Sequence, residues 1–384
     1  MFSQQEIELL LSEDVRRAIE QNLMRNPADI ALDKRVEHAA LVATQVKRLQ
    51  RAATKLPTLY GVRALLPALG YEQSSSEACA ARKPLEGDAV LDLTCGLGID
   101  AMALARRFKR VVAVERNEML CRVVRENFAR LGVENVEVVN SSAEEYLATC
   151  TDHFDWCFAD PDRRNAQGRK LVCLEDCSPD ILSLREHIAR VADRLCVKCS
   201  PLFDVDEAFR LFGNCRVEVV SMGGECKEVN IYTAAAEAEV AAVAIGIGEV
   251  CRPMAQRPEC NAPQHVALEE YRFLVVPDVA VAHARMVGCM ASQGIDVWSN
   301  RGVGLAKQVP QGIVGRVFEI AQIHPFDIKR LRGLVRGHRV EIMRRDFPLS
   351  NQDICRKLGC HEGGTERWCM TSLGGQKVAI ELKN

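Results

Sequence analysis

The feature that most constrains the fold is a glycine-rich turn between an apolar strand and a helix. Residues 90–100 read Val-Leu-Asp-Leu-Thr-Cys-Gly-Leu-Gly-Ile-Asp, so Gly96 and Gly98 directly follow a short apolar run. Glycines at such a turn allow a ligand to approach the backbone closely, and the following helix amino terminus favours a negative group. Glu115 ends the next predicted strand, where an acidic residue accepts hydrogen bonds from ribose hydroxyls in nucleotide-binding folds. The pattern therefore predicts a site for a nucleotide-like ligand.

Downstream of residue 84, apolar strands alternate with amphipathic helices. Alternation of this kind builds βαβ units, whose parallel strands end at one edge of a sheet. The sequence therefore predicts an α/β chain with a Rossmann-like, doubly wound sheet. The predicted strands are 89–93, 110–114, 136–139, 154–159 and 195–198, followed by a hairpin of 216–222 and 228–233.

The remaining sequence predicts a helical start and a second α/β region. Residues 1–70 carry apolar side chains three and four residues apart, as one face of a helix requires. We predict the Rossmann-like domain over residues 71–250 and a proline-containing linker over 251–263. Residues 264–384 are predicted to form a mixed α/β region, with strand–helix–strand character from about residue 312.

Composition excludes several classes of protein. A formal net charge of -2 gives no polyanion-binding signal for the whole molecule, so any such signal is local. The acidic amino terminus and the lack of a long uncharged apolar run predict neither a signal peptide nor a membrane span, and hence a cytoplasmic location. The 17 cysteines are expected to be free thiols in that reducing compartment. Their spacing fits no common zinc pattern, so we expect no metal.

Two further motifs lie at predicted strand ends. Asp92 ends the first strand, where its carboxylate suits a cationic ligand better than a pyrophosphate. The fourth strand runs into Asp160-Pro161, followed by Asp162, Arg163 and Arg164. A rigid Asp-Pro step before basic residues at a sheet edge is typical of a methyl-transfer site. The glycine motif also fits Gly-x-Gly-x-x-Ala, so a nicotinamide dinucleotide remains the alternative ligand.

Together these residues resemble the class I S-adenosylmethionine-dependent methyltransferases over residues 71–235. More closely, the chain looks like bacterial methyltransferases that carry a THUMP-like domain at their carboxyl end. That family shows an Asp-Pro-x-Arg-Arg motif and a Gln-Ser-Ser-rich segment ahead of the glycine loop. The matching positions here are 160–164 and 72–77, and the tail at 346–350, 363–364 and 373–374 looks like the THUMP-like ending.

The resemblance implies S-adenosylmethionine as the cofactor and assigns roles to individual residues. Asp92, Gly96 and Gly98 would line the methionine half, the 73–75 segment would close over it, and Glu115 would hold the ribose. The implied cofactor-binding residues are Gln73, Ser74, Ser75, Asp92, Thr94, Gly96, Gly98, Glu115, Arg116, Ser142, Ala143 and Asp160. The implied catalytic residues are Asp160, Pro161, Arg163 and Cys199.

Three departures from the family pattern affect the expected chemistry. Ser142 stands where an Asp usually meets the adenine amino group. Asp162 and Arg163 replace the second Pro and the aromatic residue of amino-group methyltransferases. Without that aromatic residue to stack a flipped base, adenine N6 methylation is disfavoured. The Arg163-Arg164 pair instead favours holding a phosphate or a carboxylate.

Cys199 is the most specific candidate for covalent chemistry. It precedes Ser200 and Pro201 at the end of the fifth strand, and RNA uracil-5 methyltransferases use a Cys followed shortly by Pro at the matching place. Such a thiolate adds to the pyrimidine ring, and Lys198 could lower the thiol pKa. The alternative is an inert core thiol, the usual state of a buried cysteine.

Residues 329–345 form a basic segment, which is the local feature of this sequence that could bind a polyanion. It holds seven cations against one acid, Glu341, and is read either as a solvated face or as a track for RNA phosphates. The THUMP-like resemblance favours RNA, so we predict an RNA methyltransferase acting on tRNA or rRNA. A methyltransferase for a small molecule or protein, and a non-catalytic RNA-binding protein, remain alternatives. The sequence predicts no oligomeric state.

Overall fold

The computed structural model describes residues 2–162, 174–262 and 267–383. The chain divides into two compact units: Met1–Phe203 with Ile231–Ala234, and Asp204–Asn230 with Ala235–Asn384. This division does not isolate the helical start or the linker, so the boundaries at residues 70, 250 and 264 stay predictions.

Residues 2–86 fold into short helices whose apolar faces join the core of the first unit. Ser3 and Glu6 form a capping box at the first of them, which satisfies backbone N–H groups that the helix itself leaves unpaired. The helical start expected from the apolar spacing is therefore present. The helices are α1 (Gln4–Leu11), α2 (Glu13–Asn22), α3 (Pro27–Leu32), α4 (Ala39–Lys55), α5 (Pro57–Gly61), α6 (Ala68–Gln73) and α7 (Glu77–Arg82).

Strands and helices then alternate as predicted. Helix α9 stops where Gly132 adopts a left-handed conformation at φ +66°, a glycine-specific way to end a helix. Helix α8, which follows the glycine loop, starts at Ile99 and ends at Leu104. The elements are β1 (Gly87–Asp92), α8 (Ile99–Leu104), β2 (Phe108–Glu115), α9 (Glu118–Leu131), β3 (Val136–Asn140), α10 (Ala143–Thr149), β4 (Phe154–Ala159), α11 (Arg185–Val191) and β5 (Ala192–Cys199).

The sheet of the first unit is parallel and runs in the order β3-β2-β1-β4-β5. The strand order reverses between β1 and β4, which lie side by side although they are separated in sequence. In open α/β sheets, ligands bind beyond the carboxyl ends of the strands at such a reversal. The residues placed there are Asp92, the last residue of β1, and Asp160, which directly follows β4.

The second unit contains the rest of the chain. Strand β6 pairs in parallel with β8, and β8 pairs antiparallel with β9. Strand β9 continues to Pro253, so the predicted linker at 251–263 begins inside a strand. The elements up to residue 306 are α12 (Val205–Phe212), β6 (Cys215–Met222), β7 (Glu225–Thr233, whose last residues belong to the first unit), β8 (Glu239–Ala244), β9 (Gly248–Pro253), β10 (Phe273–Pro277), α13 (Val279–His283), β11 (Asp296–Val297) and β12 (Gly304–Ala306).

The carboxyl-terminal part has the predicted strand–helix–strand character. Its strands extend a sheet of order β11-β12-β10-β13-β17-β16-β14-β15. Within the described ranges, no helix combines the length and the apolar character needed to cross a lipid bilayer. The elements are β13 (Gly315–Pro325), α14 (Ile328–Val335), β14 (Arg339–Arg344), α15 (Asn351–Leu358), β15 (His361–Glu362), β16 (Glu366–Leu373) and β17 (Gln376–Leu382).

Candidate active site

The glycine loop after β1 is held against the end of β2. The backbone N–H of Cys95 donates to the Val114 carbonyl at 2.9 Å. The N–H of Gly96 donates to Oε2 of Glu115 at 3.0 Å. The loop glycine and the acidic strand end, which the sequence links only by motif, are therefore in direct contact.

The two glycines are required for different reasons. Both adopt a positive φ, +55° at Gly96 and +80° at Gly98. A Cβ on Gly96 would meet only the Thr94 carbonyl oxygen, at 3.8 Å, and would otherwise enter open space. A Cβ on Gly98 would lie 2.8 Å from Cζ of Phe128 and 3.0 Å from Cγ1 of Val124. Gly98 thus allows α8 to approach α9 closely, whereas Gly96 keeps the mouth of the loop open.

Glu115 presents its carboxylate at the end of β2. Oε1 accepts a hydrogen bond from the Asn117 N–H at 2.8 Å, while Oε2 accepts from Gly96. Burial raises the pKa of the Glu115 carboxyl group, although these backbone donors oppose the rise. Each carboxylate oxygen offers two lone pairs, so this fixed group retains acceptor capacity for ligand hydroxyls. The side chain of Arg116, by contrast, reaches Oγ of Ser178 at 3.3 Å.

The ends of β1 and β4 are joined through Thr94. Its backbone N–H donates to Oδ1 of Asp92 at 2.9 Å, and its hydroxyl accepts from the backbone N–H of Asp160 at 2.6 Å. Asp92 is fully buried, and its Oδ2 has no hydrogen-bond partner in the described part of the chain. Thr94 therefore links the Asp92 carboxyl group to the backbone of Asp160 at the edge where the strand order reverses.

A buried chain of alternating charges runs beside this edge. Lys83 forms an ion pair with Oδ1 of Asp100 at 2.8 Å, and Ser75 donates its hydroxyl hydrogen to Oδ2 of the same carboxylate at 2.8 Å. The Lys198 ammonium group donates to Oγ of Ser75 at 2.8 Å and forms an ion pair with Oδ2 of Asp160. Two lysines, two aspartates and a serine thus form one hydrogen-bonded line within the first unit.

Burial and charge shift the pKa values of these carboxyl groups in opposite directions. Burial raises the pKa of Asp92 to about 8, and the nearby Asp100 and Asp160 add to the rise. Burial also acts to raise the pKa of Asp100, but Lys83 and Lys198 outweigh it and lower that pKa to about 2. Asp100 therefore favours its negatively charged form, whereas Asp92 favours its neutral form at pH 7.

Sequence reasoning missed three members of this charge chain. The sequence patterns indicate Asp100 only as the start of a helix and Lys198 only as a neighbour of Cys199. They do not indicate Lys83. Lys83 and Asp100 are 17 residues apart, and Lys198 and Ser75 are 123 residues apart. One sequence feature could have indicated the charge chain. Lys198 lies inside a predicted buried strand, and a buried lysine is almost always paired with an acidic group.

The serine-rich segment enters the site through one residue. Ser75 is buried and hydrogen-bonded within the charge chain. Gln73 is exposed at the end of α6, and the Ser74 hydroxyl donates to the Tyr71 carbonyl at 2.9 Å. The structure therefore joins Ser75 to the strand ends, while closure of the whole segment over a ligand stays a prediction.

Ser142 and Ala143 lie where α10 begins, after β3. The Ser142 hydroxyl accepts from the Glu145 N–H at 3.1 Å, and the Glu145 carboxylate accepts from the Ser142 N–H at 3.2 Å. This capping box uses the Ser142 side chain in the protein's own structure. Ala143 is buried.

The remaining predicted catalytic residues differ in their placement. Pro161 is buried, next to Asp160. Cys199 ends β5 with 1% of its surface exposed, and adjacent side chains of a strand project to opposite faces. The described bonds of Lys198 go to Ser75 and Asp160. Arg163 and its neighbour Arg164 lie outside the described residues.

The basic segment at 329–345 is largely solvent-exposed. None of its seven cations forms an ion pair with a carboxylate in the part of the chain that the structure describes. Glu341, its one acid, pairs instead with Arg367 at 2.9 Å. The segment therefore carries uncompensated positive charge. Its cations are Lys329, Arg330, Arg332, Arg336, Arg339, Arg344 and Arg345.

Comparisons with known proteins agree with this architecture. Residues 90–165 match a family model described as a methyltransferase domain, and residues 315–384 match one described as THUMP domain-like. The crystal structure of a "putative methyltransferase" from Porphyromonas gingivalis W83 superposes with a TM-score of 0.82 at 25% identity, covering 100% of this chain and 99% of that one.

The curated relatives match over shorter segments. The chain is 30% identical over 204 residues to an S-adenosylmethionine-dependent methyltransferase of Mycobacterium tuberculosis (strain CDC 1551 / Oshkosh), described as uncharacterized, covering 50% of this chain and 53% of that protein. It is 43% identical over 63 residues to a tRNA/tmRNA (uracil-C(5))-methyltransferase of a Nitratiruptor species, covering 16% and 17%. The chain thus spans about half, or less, of the length of these relatives.

A methyltransferase domain lies within the first unit, as the Rossmann-like sheet, the glycine loop and the family match together show. This chain combines it with a THUMP-like domain at residues 315–384. The predicted α/β fold and the predicted pairing of these two domains are confirmed.

Proposed function

We propose that this protein is an S-adenosylmethionine-dependent methyltransferase that acts on RNA in the cytoplasm. One observation carries the proposal: Gly96, Glu115, Asp92 and Asp160 converge at the edge where the strand order reverses. This is where doubly wound folds bind nucleotide-like ligands. The name of the Mycobacterium tuberculosis relative supports the cofactor.

The residues present fit such a cofactor. Glu115 offers a fixed carboxylate for two ribose hydroxyls, and the open side of Gly96 leaves room for a ligand against the backbone. The unpartnered Oδ2 of Asp92 offers a buried acceptor for a cationic group. When bound, the cofactor supplies an activated methyl group on a sulfonium centre.

Asp160 and Pro161 would position the acceptor atom of the substrate. Thr94 fixes the backbone of Asp160, and Lys198 fixes its carboxylate. A carboxylate held in this way orients a nucleophile, and orientation provides much of the rate of a displacement reaction. The role of Arg163 in holding a phosphate or carboxylate of the substrate belongs to the same proposal.

RNA is the proposed substrate because two independent features favour it. The basic segment at 329–345 lies on the THUMP-like domain and has no carboxylate partners in the described chain. Several curated relatives are named as RNA methyltransferases, including a 23S rRNA (uracil(1939)-C(5))-methyltransferase of Edwardsiella ictaluri (strain 93-146), 28% identical over 162 residues.

Pyrimidine carbon-5 is the second candidate target, and Cys199 carries it. Cys199 ends β5 and is followed by Ser200 and Pro201, and several relatives are named for uracil carbon-5 methylation. Because Cys199 is almost fully buried, covalent attack requires the strand end to open. A stalled covalent adduct with 5-fluorouracil-containing RNA, lost in Cys199→Ser, would support this target.

The proposal is tested by nucleoside mass spectrometry of RNA from cells with and without the protein. We expect one methylated nucleoside to disappear and to be restored by the wild-type chain but not by Asp160→Ala. Intact RNA modification in the deletion strain, together with methyl transfer to a small molecule or protein in vitro, would contradict the RNA assignment.

The RNA partner is tested separately by salt-dependent binding of bulk tRNA. We compare Arg332→Glu/Arg336→Glu with Arg16→Glu/Arg106→Glu, which makes the same change in net charge at exposed residues of the first unit. Only the first pair should weaken binding and flatten the salt dependence. Equal losses in both variants would show that the basic segment has no specific role.

A further inference from the structure

The charge chain leaves one carboxyl group uncompensated. Lys83 forms an ion pair with Asp100, and Lys198 forms one with Asp160. Asp92, at the same edge, is fully buried and forms no ion pair with any described residue. Among the residues that the structure describes here, two cations therefore lie beside three carboxyl groups. An isolated charge in a buried site is costly, so the third carboxyl group must either bind a cation or take up a proton.

The hydrogen bonds of Asp92 favour the proton in the unliganded site. Oδ1 accepts from the backbone and hydroxyl of Thr94, at 2.9 and 3.4 Å, whereas Oδ2 has no described partner. An unsatisfied hydroxyl costs less to bury than an unsatisfied carboxylate oxygen.

The charged groups that act most strongly on Asp92 among the described residues are both acidic, and the two lysines nearby are each paired with one of them. Asp100 on α8 and Asp160 after β4 are negative neighbours that raise its pKa. The thiols of Cys95 in the glycine loop and Cys157 on β4 also lie near it, and burial raises both thiol pKa values, so they stay neutral. Glu115, which accepts from the Gly96 N–H of the same loop, adds no positive charge.

We propose that the Asp92 carboxyl group is protonated in the unliganded protein and releases its proton when the sulfonium cofactor binds. The O–H bond of Asp92 breaks, the proton passes to the buffer, and the carboxylate compensates the net positive charge of S-adenosylmethionine. The product, S-adenosylhomocysteine, has no sulfonium charge, so Asp92 takes a proton back. The attraction between the ionised Asp92 and the sulfonium group favours cofactor over product, and this preference grows as the pH rises. The inference rests on the proposed function.

The test is calorimetric titration of the full-length protein with S-adenosylmethionine and with S-adenosylhomocysteine, in buffers of different ionisation enthalpy. The same titrations on Asp92→Asn are subtracted, which removes any proton change on the ligand's own amino group. With a pKa of about 8 for Asp92, we expect about 0.9 proton released at pH 7 on binding the cofactor and about none on binding the product.

The pH dependence gives a second readout. If only the ionised Asp92 binds the cofactor tightly, its association constant in the wild type should rise about fifty-fold from pH 6 to pH 8, relative to Asp92→Asn. The constant for the product should stay nearly level. Should Asp92→Asn not fold, infrared difference spectra of the wild type take its place: the carbonyl band of a protonated carboxyl group should vanish on adding cofactor and persist with product.

The outcomes separate this inference from the function on which it rests. If cofactor and product both bind but release the same number of protons in wild type and variant, the Asp92 exchange is wrong and the cofactor assignment stands. If neither ligand binds at about 1 mM, both fail. A pH-independent preference for cofactor over product would also overturn the exchange.

Discussion

Substituting alanine for each loop glycine should separate a ligand-facing glycine from a packing glycine. Both positions have a positive φ, so each alanine costs about 1–2 kcal/mol in backbone strain. At Gly98 the new methyl group would also lie 2.8 Å from Phe128 and 3.0 Å from Val124. Overpacking of this kind costs about 1–3 kcal/mol more. We therefore expect a loss in unfolding free energy of about 1–2 kcal/mol for Gly96→Ala and about 2–5 kcal/mol for Gly98→Ala.

Equilibrium urea unfolding followed by far-ultraviolet circular dichroism measures the stability difference, and calorimetry with S-adenosylhomocysteine measures binding. Gly96→Ala should lose at least about ten-fold in affinity while it keeps most of its stability, because its methyl group enters the open side of the loop. The reasoning is refuted if Gly96→Ala binds like the wild type, or if it is the less stable of the two variants.

A rescue experiment identifies the cause of the Gly98 effect. Phe128→Leu removes the ring atom nearest to the new methyl group, and Phe128 is buried, so its ring has little room to move aside. The two substitutions should therefore cost at least about 1 kcal/mol less together than the sum of their separate costs. Additive losses would place the destabilisation in the backbone alone.

Three further predictions follow from the site. Lys83→Met leaves Asp100 without its nearest cation, so it should lower the unfolding free energy by about 3–5 kcal/mol in thermal or urea unfolding. The double variant Lys83→Met/Asp100→Asn should lose less, and equal losses would mean that the two residues are not coupled. The pKa of Asp100 is lowered to about 2, so the stability that the ionised Asp100 contributes is present above about pH 4 and is lost as the pH falls through 2. The difference in unfolding free energy between wild type and Asp100→Asn should therefore narrow over that window. Cys199→Ser should abolish methyl transfer if carbon-5 is the target and should leave the rate within about ten-fold otherwise, as measured with labelled cofactor and bulk RNA.

Local sequence patterns sufficed for the elements that build the site. The apolar run before Gly96, the acidic residue ending β2 and the Asp-Pro step after β4 each belong to one strand end, and parallel strands bring their ends to one edge. The same patterns indicated the strand–helix–strand character of the carboxyl-terminal region. These inferences need only the direction of the strands, which the strand–helix alternation supplies.

The charge chain could not be found in the same way. Lys198 meets Ser75 across 123 residues of sequence, and nothing local to either residue indicates the other. Gly98 illustrates a second limit: its motif indicates a ligand, whereas the space that a Cβ would need there is filled by Phe128, which shows a packing constraint. A motif can therefore indicate a position without giving the physical reason for the residue found there.

A crystal structure of the full chain with S-adenosylhomocysteine tests the central claim most directly. The account predicts a ligand whose ribose hydroxyls bond to Glu115, whose chain passes the open side of Gly96, and whose sulfur faces Asp160 and Pro161. A ligand bound away from the carboxyl ends of β1 and β4, or an edge filled by the protein's own side chains at saturating ligand, would contradict it.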